Sequence, residues 1–132
     1  MIRHEFREER SSLGKVLRPV AEVLLKKDGM NVEMPMYIDS GADISMIPLR
    51  FGRALGFRQE QGDLIQEIKG ISGVSIPYIL RKVTLVLNGK RLKIRIAWAL
   101  VEEVPMIMGR MDIFDKFRII FDEKNRWIDF EE

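Results

Sequence analysis

The stretch "KVTLVLNGKRLKIRIAWAL", residues 82–100, constrains the fold more than any other part of the chain. Asn88-Gly89 is the dipeptide of a type I′ turn, in which both central residues take positive φ and match the twist of the flanking strands. Leu92, Ile94, Ile96 and Trp98 alternate with Lys93 and Arg95, the period of a strand with one face on a core and the other in solvent. A helix cannot present that pattern on one face. The chain must therefore contain a long antiparallel hairpin, and its other segments have to pack on it.

The same grammar recurs. "PVAEVLLKKDGMNVEMPMYID" reads as two strands joined at Asp28-Gly29, with Val32, Met34, Met36 and Ile38 alternating in the second. "IQEIKGISGVSIPYI" sets Gly70 and Gly73 between apolar flanks, which suits a long hairpin with a flexible tip. "FRIIFDEKNRWIDF" reads as a closing strand pair around "DEKN". Helix is expected only in "PLRFGRALGF" and "RMDIFDKF". In the first, Ile47, Phe51, Ala54 and Leu55 fall on one face, Pro48 suits the first turn and Gly56 the stop. The second makes one or two turns that bury Ile113, Phe114 and Phe117. Residues 1 to about 15, "MIRHEFREERSSLGK", are charge-rich and read as an N-terminal arm with room for flexibility. Residues 16–132 then form a single domain. With about seven or eight strands and one or two short helices, the expected class is mostly β, a closed barrel or sandwich.

Composition removes several kinds of chemistry. With no cysteine there is no disulfide, thiolate metal site or cysteine nucleophile. The single histidine, His4, lies in the charged arm, which argues against a Ser-His triad or a histidine zinc site. No metal or other cofactor is expected. No stretch has the roughly 18 apolar residues of a membrane span, and the N-terminus has no apolar leader core. No membrane partner is expected, and the cytoplasm is the expected location. Net charge is +2 with a pI near 9.0, but basic and acidic residues are interspersed. No nucleic-acid partner is expected, because phosphate binding needs a concentrated basic face.

The chemistry concentrates in "YIDSGADISMIP", residues 37–48. An apolar run ends on Asp39, a hydroxyl and a glycine follow, and Asp43 comes four positions after Asp39. Asp, Ser and Gly are ordinary turn residues, so a plain turn is one reading. A metal or phosphate site on Asp39 and Asp43 is another, although no further acid cluster stands out to complete an oxygen cage. Ser40 as nucleophile lacks the G-x-S-x-G elbow and a histidine close in sequence. The remaining reading makes Asp39 half of a carboxylate dyad, held by the turn that Gly41 permits. Such a dyad needs its second carboxylate about 3 Å away, so that the two share a proton and polarise a water.

"IKGISG" and "VPMIMGRMDIF" follow that motif in order. From about residue 18 to residue 130 the chain resembles the retropepsins, the retroviral-type aspartic proteases, and most of all their free-standing prokaryotic relatives. Asp39-Ser40-Gly41-Ala42 matches the family's D-[ST]-G-A. Gly70-Ile71-Ser72-Gly73 resembles its glycine-rich flap, with Ser72 where glycine is common. Ile107-Met108-Gly109-Arg110 matches its apolar-apolar-Gly-Arg segment. The resemblance implies Asp39 as catalytic acid and Ser40 as the tie between two active-site loops. Gly41, Ala42 and Asp43 would meet a peptide or protein substrate, Arg110 would pair with Asp43, and Gly70 to Gly73 would cover the cleft. One D-[ST]-G per chain then implies a homodimer, with Asp39 meeting Asp39 of the partner subunit on the two-fold axis. The C-terminal "RWIDFEE" becomes a candidate dimer contact, unless Trp127 and Ile128 complete each subunit's own core. A second reading keeps the fold but not the turnover. The chain is then a peptide-binding or dimerisation module whose flap Ser72 stiffens.

Overall fold

The computed structural model describes residues 3–69 and 73–132. The order begins with strands β1 (Arg3–Glu5), β2 (Arg7–Ser11), β3 (Gly14–Arg18), β4 (Val20–Lys27), β5 (Met30–Ile38) and β6 (Ser45–Ile47). Helix α1 (Leu49–Ala54) follows, then β7 (Ile65–Lys69), β8 (Ser75–Leu87), β9 (Lys90–Ala99) and β10 (Ile107–Met108). A 3-10 turn at Phe114–Lys116 leads into β11 (Arg118–Asp122) and β12 (Trp127–Glu131).

Both glycine dipeptides turn as their residues require. Asp28 and Gly29 take φ of 48° and 83° between β4 and β5, and Asn88 and Gly89 take 52° and 79° between β8 and β9. Positive φ at both central positions is the type I′ signature. The strands then run β4-β5-β10-β6-β9-β8 and close back on β4, where Leu24–Lys26 face Thr84–Val86. This is a closed six-stranded barrel, with β7 continuing the sheet beyond β8. Closure leaves the six strands with no free edge between them. Alternate residues fill the inside: Val23 and Leu25, Met34 and Met36, Leu85 and Leu87, Ile94, Ile96 and Trp98 are all buried. Each is worth about 1.5–3 kcal/mol relative to exposure.

Trp98 positions the helix. Its indole Nε1 donates to the Leu49 carbonyl at 3.0 Å, and Gly52 packs so tightly on the ring that a Cβ there would collide with it. The buried position in the middle of α1 is therefore a glycine, which hydrophobic periodicity cannot register. Of the expected face, Leu55 is buried and Phe51 half-buried, but Ala54 is exposed and Ile47 belongs to β6. The helix stops where expected. Gly56 (φ 86°) donates to Arg53 at 2.9 Å and Phe57 to Gly52 at 2.8 Å, a Schellman cap.

Residues 3–18 carry three strands, β1, β2 and β3, where the sequence up to about residue 15 reads as an arm. β1 pairs with β12, which pairs with β11 in a three-stranded sheet, while β2 and β3 form a hairpin of their own. The charges that mask these strands in the sequence also help to seat them. Arg7 pairs with Glu22 at 2.6 Å, and the Arg3 guanidinium lies 4.0 Å from the centre of the Trp127 ring. Buried Phe6 joins the main core, and His4 meets Phe130 edge-on at 5.7 Å while sharing a 2.8 Å hydrogen bond with Asn88. Ile128 and Phe130 are buried in the same core, so β12 helps to complete the core of its own chain.

Asp112 ties the segment after β10 to the barrel wall. Its carboxylate accepts the Arg95 backbone N–H at 2.9 Å and two guanidinium bonds at 2.9 and 2.8 Å. The Arg95 side-chain bonds are the main reason its pKa falls from 3.8 to about 2. A folded-state pKa below the unfolded one adds stability that is full above about pH 4 and fades as pH falls through the folded value. Asp112→Asn keeps a residue tolerant of the positive φ (67°) found there. The variant should cost roughly 1 kcal/mol at pH 7, discounted for the half-exposed Arg95. In urea melts the gap from wild type should narrow between about pH 4 and pH 2. A gap that stays constant with pH contradicts this account.

Candidate active site

β5 carries its apolar alternation to Ile38 and then delivers Asp39 into solvent. The Asp39 N–H still donates to Met108 at 3.0 Å, so the residue stays attached to the barrel. The chain then turns, with the Ala42 N–H donating to the Asp39 carbonyl at 3.2 Å. The Gly41 N–H donates to Asp39 Oδ1 at 2.9 Å and holds the carboxylate in one orientation. A Cβ on residue 41 would come within 3.3 Å of that oxygen, so glycine keeps the approach open. Asp39, Ser40 and Gly41 are exposed and Ala42 is half-buried. A fixed carboxylate is thus presented outward at a strand end.

The loop is held from behind by β10, which lies between the two strands flanking it. Ile107 and Met108 pair in parallel with Tyr37 and Ile38 of β5, and Ile107 pairs antiparallel with Met46 of β6. Beyond the strand, Arg110 N–H donates to the Ala42 carbonyl and Met111 N–H to the Asp43 carbonyl, both at 2.9 Å. Gly109 N–H donates to the buried Ser45 Oγ at 3.0 Å. A Cβ at residue 109 would lie 2.5 Å from the Ile44 carbonyl carbon and oxygen, so only glycine fits.

The structure therefore brings Arg110 up to the loop that carries Asp39, Ser40, Gly41, Ala42 and Asp43, although it lies 70 positions beyond Ser40. It does so through backbone pairing, and the expected Asp43–Arg110 ion pair does not form among the described residues. The Arg110 guanidinium instead makes a long 3.4 Å bond to the Ser40 carbonyl and lies 5.8 Å from the centre of the Phe114 ring. The rigid backbone fixes where the two side chains start, and that is not enough to make them meet. Gly73, at φ 78°, precedes β8. Gly70, Ile71 and Ser72 lie outside the described residues, between β7 and β8.

Sequence reading missed one part of the site. A groove of about 420 Å³ beside Asp39 is lined by Tyr37, Pro105 and Ile107, and by Glu9, Arg18 and Pro19 from the hairpin and its exit. The Tyr37 hydroxyl donates to the Glu9 carboxylate at 2.6–2.8 Å, and Arg18 approaches the same carboxylate at 3.5 Å. That bond to Glu9, with burial second, raises the Tyr37 pKa. No sequence signal links Glu9 to a tyrosine 28 positions away, because only the tertiary seating of the hairpin joins them. Among the described residues no three carboxylate or imidazole groups stand together in a way that could hold a metal ion.

Comparison with known proteins fits this geometry. No family model and no curated protein matches the chain. Among solved structures, it is similar to a retropepsin-like aspartic protease from Rickettsia conorii, with a TM-score of 0.65 and 17% identity. That match covers 97% of this chain and 98% of the other. The EIAV protease, in complex with the inhibitor HBY-793, matches at a TM-score of 0.58 and 25% identity, over 75% of this chain and 86% of the viral one. The fold is the retropepsin-like one, the mostly-β closed barrel expected from the motifs.

Two glycine substitutions separate the frame of the site from its reactive edge. Gly109→Ala forces the Ile44 backbone aside and should lower stability by about 1–3 kcal/mol. Gly41→Ala crowds only one carboxylate oxygen and should stay within about 0.5 kcal/mol of wild type. Urea denaturation of both checks the contrast, and equal losses would show that β10 does not hold the loop as described.

Proposed function

We propose that this chain is one half of an aspartic endopeptidase, and that two copies complete the site. The observation that carries this is the outward-facing Asp39 carboxylate, fixed by the Gly41 N–H on a loop stapled to a retropepsin-like barrel. Hydrolysing a peptide bond this way takes two carboxylates sharing one proton, about 3 Å apart. The chain contains a single Asp-Ser-Gly. The second carboxylate is then Asp39 of the partner subunit, brought in by a two-fold axis through the exposed loop.

In this mechanism the ionised carboxylate takes a proton from the bound water as its oxygen attacks the scissile carbonyl carbon. The protonated carboxylate donates to the carbonyl oxygen, which carries the developing charge. The tetrahedral adduct then collapses. The amide nitrogen takes a proton from the dyad, the C–N bond breaks, and a carboxylic acid and an amine leave. Ser40 ties the two loops across the axis, and Gly41 lets the substrate backbone approach. Asp43, Ala42 and residues 70–73 contact an extended substrate, and Arg110 supports the loop. Apolar Ile107, Pro105 and Pro19 beside Asp39 favour apolar side chains next to the cut. No feature among the described residues favours a binding module without turnover.

The test is cleavage of a mixed peptide library from about pH 4 to pH 7, read by mass spectrometry. Wild type should cut, Asp39→Asn should not, and activity per chain should fall on dilution. The rate should peak within the range and drop on either side, because one acid must be ionised and the other protonated. Cuts that persist in Asp39→Asn would remove the proposal.

A further inference from the structure

The barrel wall away from Asp39 carries a second concavity, and it shares no lining residue with the groove beside the catalytic loop. It holds about 680 Å³ between the Asp28-Gly29 turn, β8 and β9. Lys26, Lys27, Lys82, Lys93 and Arg95 line it, against two carboxylates, Asp28 and Asp112. The whole chain is only +2, so this one hollow gathers more positive charge than the protein has net. Arg95 is held by Asp112. The four lysines have no carboxylate partner among the described residues.

Strand register makes the crowding specific. Lys26 on β4 and Lys93 on β9 both stand directly opposite Thr84 of β8, one on each side. Two residues along β8, on the same face, Lys82 stands opposite Arg95. Like charges directly opposite in a sheet are destabilising, and Asp112 offsets only the Arg95 side of this pair. The apolar lining residues, Val83 and Ile94, are buried at 4% and 1% exposure, so what the hollow offers a ligand is cationic tips and the Thr84 hydroxyl.

We propose that this hollow is a binding site for a compact, multiply charged oxyanion, of the class of a chain of two or three linked phosphates. Its size is that of a small-ligand site, and several ammonium groups lining one hollow suit clustered phosphate oxygens. A nucleic-acid strand would need a basic track to follow, and here Asp28 and Asp112 sit among the cations. A lipid surface would need exposed apolar side chains beside the charges, and the lining has none.

The experiment is calorimetric titration of the full chain with inorganic tripolyphosphate, at low and at physiological salt. Saturable binding of one ion per chain is expected, weaker at higher salt. Lys82→Gln with Lys93→Gln should weaken it by about tenfold per lysine. Lys15→Gln with Lys124→Gln removes the same charge elsewhere and should leave binding unchanged. Circular dichroism establishes that both variants fold. ATP binding as tightly as tripolyphosphate assigns recognition to the phosphates alone, and tighter ATP binding adds a nucleoside contact; either supports the site. Three results overturn the proposal: no saturable binding, equal weakening in both double variants, or stronger binding to oligonucleotides that grows with their length. The readout is binding and not cleavage, so it stands whether or not the chain is a protease.

Discussion

The insertion of β10 between β5 and β6 is the constraint on which the rest of the site depends. Two residues of strand, Ile107 and Met108, join the strand that ends at Asp39 to the strand that leaves the loop. Behind them Gly109 fits against the Ile44 backbone with no room for a side chain, and the next two N–H groups close on the carbonyls of Ala42 and Asp43. A loop held this way gains its precision from main chain, which has few alternative conformations to visit. The carboxylate at its tip is exposed and still oriented by the Gly41 N–H. The proposed function, in which this group meets a second copy of itself, rests on both properties.

Around this centre the barrel acts as a rigid frame. Closure of β8 onto β4 removes free edges, and Trp98 couples the wall to the helix by packing on Gly52 and bonding Leu49. The N-terminal hairpin adds a polar wall to the groove beside Asp39 through Glu9 and Tyr37. The β2–β3 hairpin therefore lines the groove beside Asp39 as well as belonging to the fold.

How much of this was legible in the sequence follows from the kind of interaction. The two type I′ turns could be read because Asp-Gly and Asn-Gly force local geometry, and the long strands because alternation reports burial. The Asp-Ser-Gly-Ala and Ile-Met-Gly-Arg segments could be placed in one site through their resemblance to a known family. Three things could not be read. The strands of residues 3–18 lie under a run of charge, and their seating rests on tertiary contacts such as Arg7 with Glu22 and Arg3 over Trp127. The inward face of α1 is a glycine, which no apolar period reveals. The expected Asp43–Arg110 pair failed because shared backbone anchoring places residues near one another without aiming their side chains.

The central claim is that one catalytic centre is assembled from two chains, each giving one Asp39. The most direct measurement mixes wild type with Asp39→Asn at fixed total concentration, allows the subunits to exchange, and follows peptide cleavage against the wild-type fraction. If every centre needs two aspartates, activity falls as the square of that fraction, to about a quarter at equal mixing. A linear fall, to about half at equal mixing, would mean that each chain works alone, and it would contradict the account.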